Sequence, residues 1–323
     1  MCTAISYLSK DHYFGRNLDL EYSYKEAVTI TPRNFLLPFR KYAAINTHYA
    51  IIGIATVSEN YPLYYDATNE YGLSMAGLNF PGNAVYQPEK ADCDNITPFE
   101  FIPWILAQCK TVDDAIPLLK QANLAKIGFS DEYPLSPLHW ILADRDRSVT
   151  IEPLSGGLVI YENAVGVLTN NPTFDYHMHN LKNYLHLTSQ EPKNHFAPQI
   201  ELAPYSRGLG AYGLPGDLSS ASRFVKAAYT KLNSVSNGTE SSDISQFFHI
   251  LGSVAQQNGC VQVGDSYEKT VYSSCCNTDQ GIYYYTTYEN SQISGVNMHH
   301  EDLNADRLIS YPLILHQRIN MIN

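Results

Sequence analysis

Cys2 follows a methionine that a small second residue allows to be removed. With Met1 gone, one residue carries both a thiol and a free α-amine. Such an amine titrates near pH 8, so about a tenth of it is neutral at pH 7, where a lysine is almost wholly charged. A terminus of this kind supplies its own general base. The chemistry it points to is attack of the thiol on an amide carbonyl, with the adjacent amine handling the proton. The amide left by an intact Met1 has no such capacity. After a turn at Ser9-Lys10-Asp11 comes Phe14-Gly15-Arg16-Asn17-Leu18-Asp19. If this segment folds back on the first as a hairpin, Arg16 and Asp19 come near the terminus. A cation beside a thiol favours the thiolate, and a carboxylate accepting from an α-amine fixes its orientation. An ordinary salt-linked surface hairpin is the alternative reading of the same residues.

The elements that must position these groups read as blocks. Ala27–Thr31, Tyr49–Val57 and Gly72–Phe80 are β-branched or aromatic and bounded by Pro, Asn and Gly, which predicts strands. Thr97-Pro98-Phe99-Glu100 carries helix-start signals, so a helix is expected towards Cys109, with Pro103 as a kink. A second short helix is expected from Asp113-Asp114, tolerating Pro117 only in its first turn. Strands return at 138–142, 149–151, 158–160 and 165–168. Helices follow beyond Phe174, from Ser220 to Leu232, and from Ser242 to Gln256, where Ile244, Phe247, Phe248 and Leu251 form one apolar face. Strands at 272–274, 281–288 and 293–296 close the chain. Strands in hairpin series with helix pairs between them suggest two antiparallel sheets face to face with helices outside, an α+β four-layer αββα sandwich over a single domain, 1–323.

Composition narrows the partners. The chain of 323 residues carries a formal charge of −11, which repels phosphate backbones and anionic bilayers and argues against nucleic acid as a partner. No apolar run approaches the roughly 20 residues that span a bilayer, so membrane insertion is not expected, and an unexported cytoplasmic protein is. The six cysteines lack paired metal-site spacing, so no metal is expected and reduced thiols are. His177 and His179, two apart on a predicted helix, cannot share a face as ligands. His299-His300 reads as exposed, and Tyr283-Tyr284-Tyr285 as a packed strand.

Beyond these local readings, MCT at the start, FGRNLDLEYS at 14–23, GLNFPGN at 77–83, GVLTNNPTFDYH at 166–177, GLPGDLSSASRF at 213–224 and GIYYYTTYEN at 281–290 resemble the conjugated bile acid hydrolases, also called choloylglycine hydrolases. Penicillin V acylases are their close relatives. The resemblance runs almost the whole length. It implies the N-terminal nucleophile hydrolase fold, no cofactor, conjugated bile acids as substrates and a homotetramer. Laid onto matching positions, it implies Cys2 as nucleophile, with Arg16 and Asp19 as the charged pair that tunes and orients it. Asn170 is implied as the oxyanion donor and Asn79 as a second polar contact at the scissile amide, where penicillin V acylases tend to carry tyrosine. Arg223 is implied as support for charge near the nucleophile. Asn171 adjoins Asn170, but on an extended segment a slip of one residue points the side chain to the opposite face. The steroid would take an apolar pocket built on family loops at Leu18–Tyr24, Leu63–Tyr65 and Ile127–Leu135, with Leu18, Leu20, Tyr22, Tyr24, Tyr65, Ile127 and Phe129 as candidate contacts. Ser206-Arg207, ahead of GLPGD, resembles the taurine-preferring variant of a loop associated with conjugate choice. A penicillin V acylase and a non-enzymatic β-rich binding protein are the rival readings.

Overall fold

A computed structural model describes residues 1–323. The chain begins with the hairpin of β1 (Cys2–Leu8) and β2 (His12–Leu20), followed by β3 (Ala27–Thr31), β4 (Ile51–Ser58), β5 (Tyr61–Asn69) and β6 (Ser74–Asn79). A short parallel pair, β7 (Asp94–Ile96) with β8 (Ala122–Leu124), brackets helices α1 (Phe101–Leu106) and α2 (Val112–Gln121). Next come β9 (Leu138–Ala143), β10 (Ser148–Leu154), β11 (Gly157–Glu162), β12 (Val167–Leu168) and helices α3 (Phe174–Asn180), α4 (Ser220–Leu232) and α5 (Glu240–Gly252). The small hairpin of β13 (Gln262–Val263) and β14 (Ser266–Tyr267) precedes β15 (Lys269–Asn277), β16 (Ile282–Thr287), β17 (Asn290–Asn297) and β18 (Ile309–Pro312).

Two antiparallel sheets result. One has the order β12-β1-β2-β15-β16-β17 and the other β11-β10-β9-β6-β5-β4-β3-β18. They meet face to face where β1 lies against β6 and β2 against β5 and β6. Helix α1 covers β5 and β6 from outside, while α4 and α5 cover β1, β2 and β15. The four-layer αββα sandwich expected from the element order is the one observed. Period-two alternation organises the layers. On β9, Ile141 joins the core between the sheets, whereas Trp140 and Leu142 join Phe101 and Trp104 under α1. On α4 the buried face is Phe224, Val225, Ala227 and Ala228, and a phenylalanine so placed contributes about 1.5–3 kcal/mol.

Three expectations need correcting. The helix after Thr97 opens as a single turn of 3₁₀ helix, Pro98–Glu100, and its α-helical part ends at Leu106. Pro117 stands in the interior of α2, beyond the first turn. It is exposed, as is Asp113, whose carbonyl it leaves without an amide partner, and the cap from Thr111, whose hydroxyl accepts from Asp114 N–H at 3.1 Å, holds the start. Leu63–Tyr65, read as a loop, belongs to strand β5.

One irregularity of the second sheet sets the position of the site. β5 and β6 pair only at Asp66↔Ala76, Ala67↔Met75 and Thr68↔Ser74. Beyond Asp66 the two strands part, so Tyr65 and Gly77 are not paired with each other, although Gly77 keeps its place opposite Trp140 on β9. Arg16 enters this split from the facing sheet. Its Nη1 donates to Tyr65 O at 2.9 Å and to Gly77 O at 2.5 Å.

Candidate active site

The split between β5 and β6 opens a cavity of about 300 Å³. At one end are Cys2, Arg16, Gly77 and Asn79. Its walls come from both sides of the parted sheet. Leu18, Leu20, Tyr24 and Tyr65 lie on the β2 side, and Tyr64, Phe99, Ile102 and Trp140 on the α1 side. The segment Glu132–Leu135, with Phe129, closes the outer edge. Arg40 stacks over Phe99 and Phe129, its guanidinium carbon 5.9 and 5.4 Å from the ring centroids.

The hairpin positions the thiol. Cys2 pairs with Leu18 and Ala4 with Arg16, so Cys2, Ala4, Arg16 and Leu18 share the face turned toward the second sheet. Thr3, Asn17 and Asp19 point the other way, toward the helices. There Arg223, on α4 and 1% exposed, donates from Nη1 to Cys2 O at 2.5 Å and to Thr3 Oγ1 at 2.7 Å, and from Nη2 to Asn170 Oδ1 at 2.7 Å. Asp19 Oδ1 accepts from Thr270 Oγ1 at 2.6 Å, while its Oδ2 is buried without a partner. Burial pushes the Asp19 carboxyl up, against Arg223, the terminal amine, Thr270 and Arg16. Burial pulls the Arg223 guanidinium down, against Asp19 and Cys2. Arg16 also suffers desolvation, yet Cys2, Tyr272, Asp66 and Asp19 together hold its pKa above the ordinary arginine value. Asp66, wholly buried, accepts from Tyr272 Oη at 2.7 Å, Ser274 Oγ at 3.1 Å and Tyr283 Oη, which ties the two sheets behind Arg16.

Asn170 is not itself a lining residue but is hydrogen-bonded to two that are, Cys2 and Asn79. Its Oδ1 accepts from Cys2 N–H at 2.8 Å, and its Nδ2 donates to Asn79 O at 2.7 Å, leaving one amide hydrogen of Nδ2 uncommitted. Both backbone groups of Asn170 are held by side chains. Its N–H donates to Ser220 Oγ at 2.8 Å, and its carbonyl accepts from His177 Nε2 at 2.9 Å. The preceding carbonyl, Thr169 O, is engaged by His139 Nε2 at 2.9 Å, and His139 in turn lies against Glu152 Oε1 at 3.1 Å. Asn171 points away and donates to Pro81 O at 2.6 Å.

Of the predicted site residues, Cys2, Arg16, Asp19, Asn79, Asn170 and Arg223 come together. Leu18, Leu20, Tyr24, Tyr65 and Phe129 line the cavity. Tyr22, Ile127, Ser206 and Arg207 are not among its walls: Tyr22 is exposed and its hydroxyl lies 2.9 Å from that of Tyr24, and Ser206 and Arg207 stand in solvent. Phe99, Ile102 and Trp140 are walls that no residue pattern signals, because nothing in a helix start or a core strand announces that the neighbouring sheet is parted. His177, which cannot pair with His179 as a metal ligand, is instead the anchor of the Asn170 segment, a lone buried histidine bonded to the Asn170 carbonyl. No three His, Cys, Asp or Glu side chains gather as metal ligands would.

Residues 2–311 match the family described as linear amide C–N hydrolases, choloylglycine hydrolase family. The chain belongs to that family. Among its relatives, the bile salt hydrolase/transferase of Lactiplantibacillus plantarum is 58% identical over 97% of both chains. The bile salt hydrolase/transferase of Clostridium perfringens is 38% identical, with 100% of both chains covered. The crystal structure of the C2A mutant of the Clostridium perfringens conjugated bile acid hydrolase superposes with a TM-score of 0.93 at 36% identity, covering 100% of both chains. Penicillin V acylase of Agrobacterium tumefaciens, at 17% identity and a TM-score of 0.75 over 98% of this chain and 94% of that one, shares the fold. Choloylglycine hydrolase membership makes the chain an enzyme of C–N amide hydrolysis, built on the N-terminal nucleophile hydrolase fold.

Proposed function

We propose that this protein hydrolyses the amide joining a bile acid to glycine or taurine, with Cys2 as nucleophile after Met1 is removed. The observation that carries the reading is the thiol at the end of a cavity with mainly apolar walls, beside a fully buried arginine and backed by two amide side chains. The apolar walls suit a steroid, and the relatives similar over the whole chain are named for bile salts. Cys2 Sγ passes its proton to the neutral α-amine and attacks the carbonyl carbon, and the developing oxyanion is met by the uncommitted hydrogen of Asn170 Nδ2 and by the Asn79 amide, where each donor is worth several kcal/mol in the transition state. The C–N bond then breaks, the amine of glycine or taurine taking its proton from the Cys2 α-ammonium. Water cleaves the thioester, releasing the free bile acid and restoring the thiol. Arg16 supplies positive charge on the cavity side, and Arg223 fixes Cys2 O and Asn170 from the helix side.

The test is direct. Intact mass should show loss of Met1, and stoichiometric alkylation of Cys2 or the Cys2→Ser change should abolish release of glycine or taurine while leaving the fold intact. Full turnover by a chain shown by mass to retain Met1 overturns the mechanism. Penicillin V hydrolysis measured alongside decides between the two substrate classes, and Asn79 at the cavity end favours bile salts. A taurine preference rests on Arg207, whose fork of donors suits a sulfonate. Since Arg207 stands outside the cavity wall, this part is tested separately. The ratio of kcat/KM for taurocholate and glycocholate should favour taurine and fall in Arg207→Gly. An unchanged ratio removes Arg207 from the argument. A homotetramer and a cytoplasmic location complete the reading. All six cysteines are free, and no helix is long and apolar enough to cross a membrane.

A further inference from the structure

Met1 extends β1 by one residue. Its carbonyl accepts from Asp19 N–H at 3.0 Å and its ammonium donates to Asp19 O at 2.9 Å. The same ammonium forms an ion pair with Glu268, the one residue between β14 and β15, and this is the one partner that the Glu268 side chain has. Glu268 is 3% exposed. Removal of Met1 therefore takes the cation away from a buried carboxylate. An unpaired buried charge costs several kcal/mol, so it must find a new cation or become protonated. The cation at hand is the one that removal creates. Consecutive backbone nitrogens are roughly 3.5 Å apart, which leaves Glu268 within about 6 Å of the nitrogen that becomes the Cys2 α-amine. Asp19 Oδ2, buried and unpartnered even with Met1 in place, waits in the same neighbourhood.

We infer that Glu268 is a positioning residue of the mature enzyme, sharing the α-ammonium of Cys2 with Asp19 and so setting the pH at which the terminal base becomes available. This rests on the reading that Met1 is removed. The charged groups around that nitrogen are Asp19 and Arg16 on β2, Glu21 just beyond it, Arg223 on α4, the Cys2 thiol and Glu268. Burial and Arg223 pull a terminal amine at this place down, while Cys2, Asp19 and Glu21 pull it up. A further carboxylate favours the ammonium, so deleting its charge lowers the amine pKa and frees the neutral base at lower pH.

The experiment is the pH profile of kcat/KM on a bile-salt conjugate for the parent and Glu268→Gln, with intact mass recorded for both. The acid limb of Glu268→Gln should move to lower pH by on the order of one unit, about a tenfold relative gain on that limb, with Met1 absent in both proteins. A superimposable profile, or a shift to higher pH, overturns the inference. If Met1 persists only in Glu268→Gln, Glu268 serves maturation and the inference also fails. If Met1 persists in the active parent, it is the parent reading that fails. Should Glu268→Gln not fold, Glu268→Asp decides: a carboxylate withdrawn by one methylene should shift the limb the same way by a smaller amount, and no shift overturns the proposal.

Discussion

Asn170 is the residue whose contacts discriminate best between chemistry and scaffolding. Its side-chain oxygen is consumed by Cys2 N–H and Arg223, while its amide nitrogen keeps one hydrogen to offer. Asn170→Ala should therefore lower kcat by about 100-fold or more with a smaller change in KM, because the donor acts chiefly in the transition state. Asn171→Ala, which removes only a bond to Pro81 O, should do less. Steady-state kinetics on both variants checks this, and reversed effects would mean that the other asparagine is the donor. The candidate residues were legible because each sits in a short motif with its own neighbours, such as LTNNP or SASRF. Their anchors were not. His177 holds Asn170 through a carbonyl, a contact of shape and register that no residue type signals in advance.

At the level of elements, legibility followed periodicity. Helix α4, expected from about Ser220 to Leu232, lies there in the structure, where the Ser219 cap and the apolar face agree. Strand β5 was missed because Tyr61-Pro62-Leu63-Tyr64-Tyr65 lacks alternation and contains a proline. The structure explains why the proline is tolerated: Pro62 lies beyond the point where the β5–β6 ladder ends, so on that side no ladder bond is lost. The parted strands also give glycine 77 a task. A Cβ there would lie 3.0 Å from Trp140 Nε1 and 3.3 Å from Trp140 Cδ1, inside the split. Gly77→Ala should raise KM for bile-salt conjugates and cost about 1–3 kcal/mol of stability by overpacking. Thermal unfolding and substrate titration together test it, and an unchanged KM would show that the acyl group does not use the split.

For the whole molecule, two buried histidines make a prediction about acid. His12, held between Ser6 Oγ at 2.9 Å and Thr278 Oγ1 at 2.8 Å, is lowered by burial to about 4. His177 is likewise lowered by burial to about 4. In the unfolded chain both bind a proton near pH 6.5, so through these two groups the native state loses stability as pH falls from 6.5 towards 4, and neither contributes a change above that window. Each contributes on the order of 3 kcal/mol of loss across it. Denaturant unfolding of the parent and His12→Gln at pH 7 and pH 4.5 should show a smaller decrease in the variant, and equal decreases would refute the assignment. Assembly is a second property at this scale. Leu185 and Phe196, each 85% exposed, and Tyr205, 83% exposed, stand on the long segment between α3 and α4. Apolar surface of this kind is the support for the proposed tetramer, and light scattering should return four times the 36.3 kDa chain mass.

The guanidinium of Arg16 occupies the seam where two strands decline to pair. That arrangement ties the entrance for a ligand to the integrity of a sheet. A chain drifting in sequence cannot surrender this arginine without stranding two carbonyls. Nor can it re-zip the strands without evicting the arginine and sealing the opening. Attempts to widen the enzyme's repertoire should therefore find the rim, around Phe129 to Leu135, far more permissive than the seam.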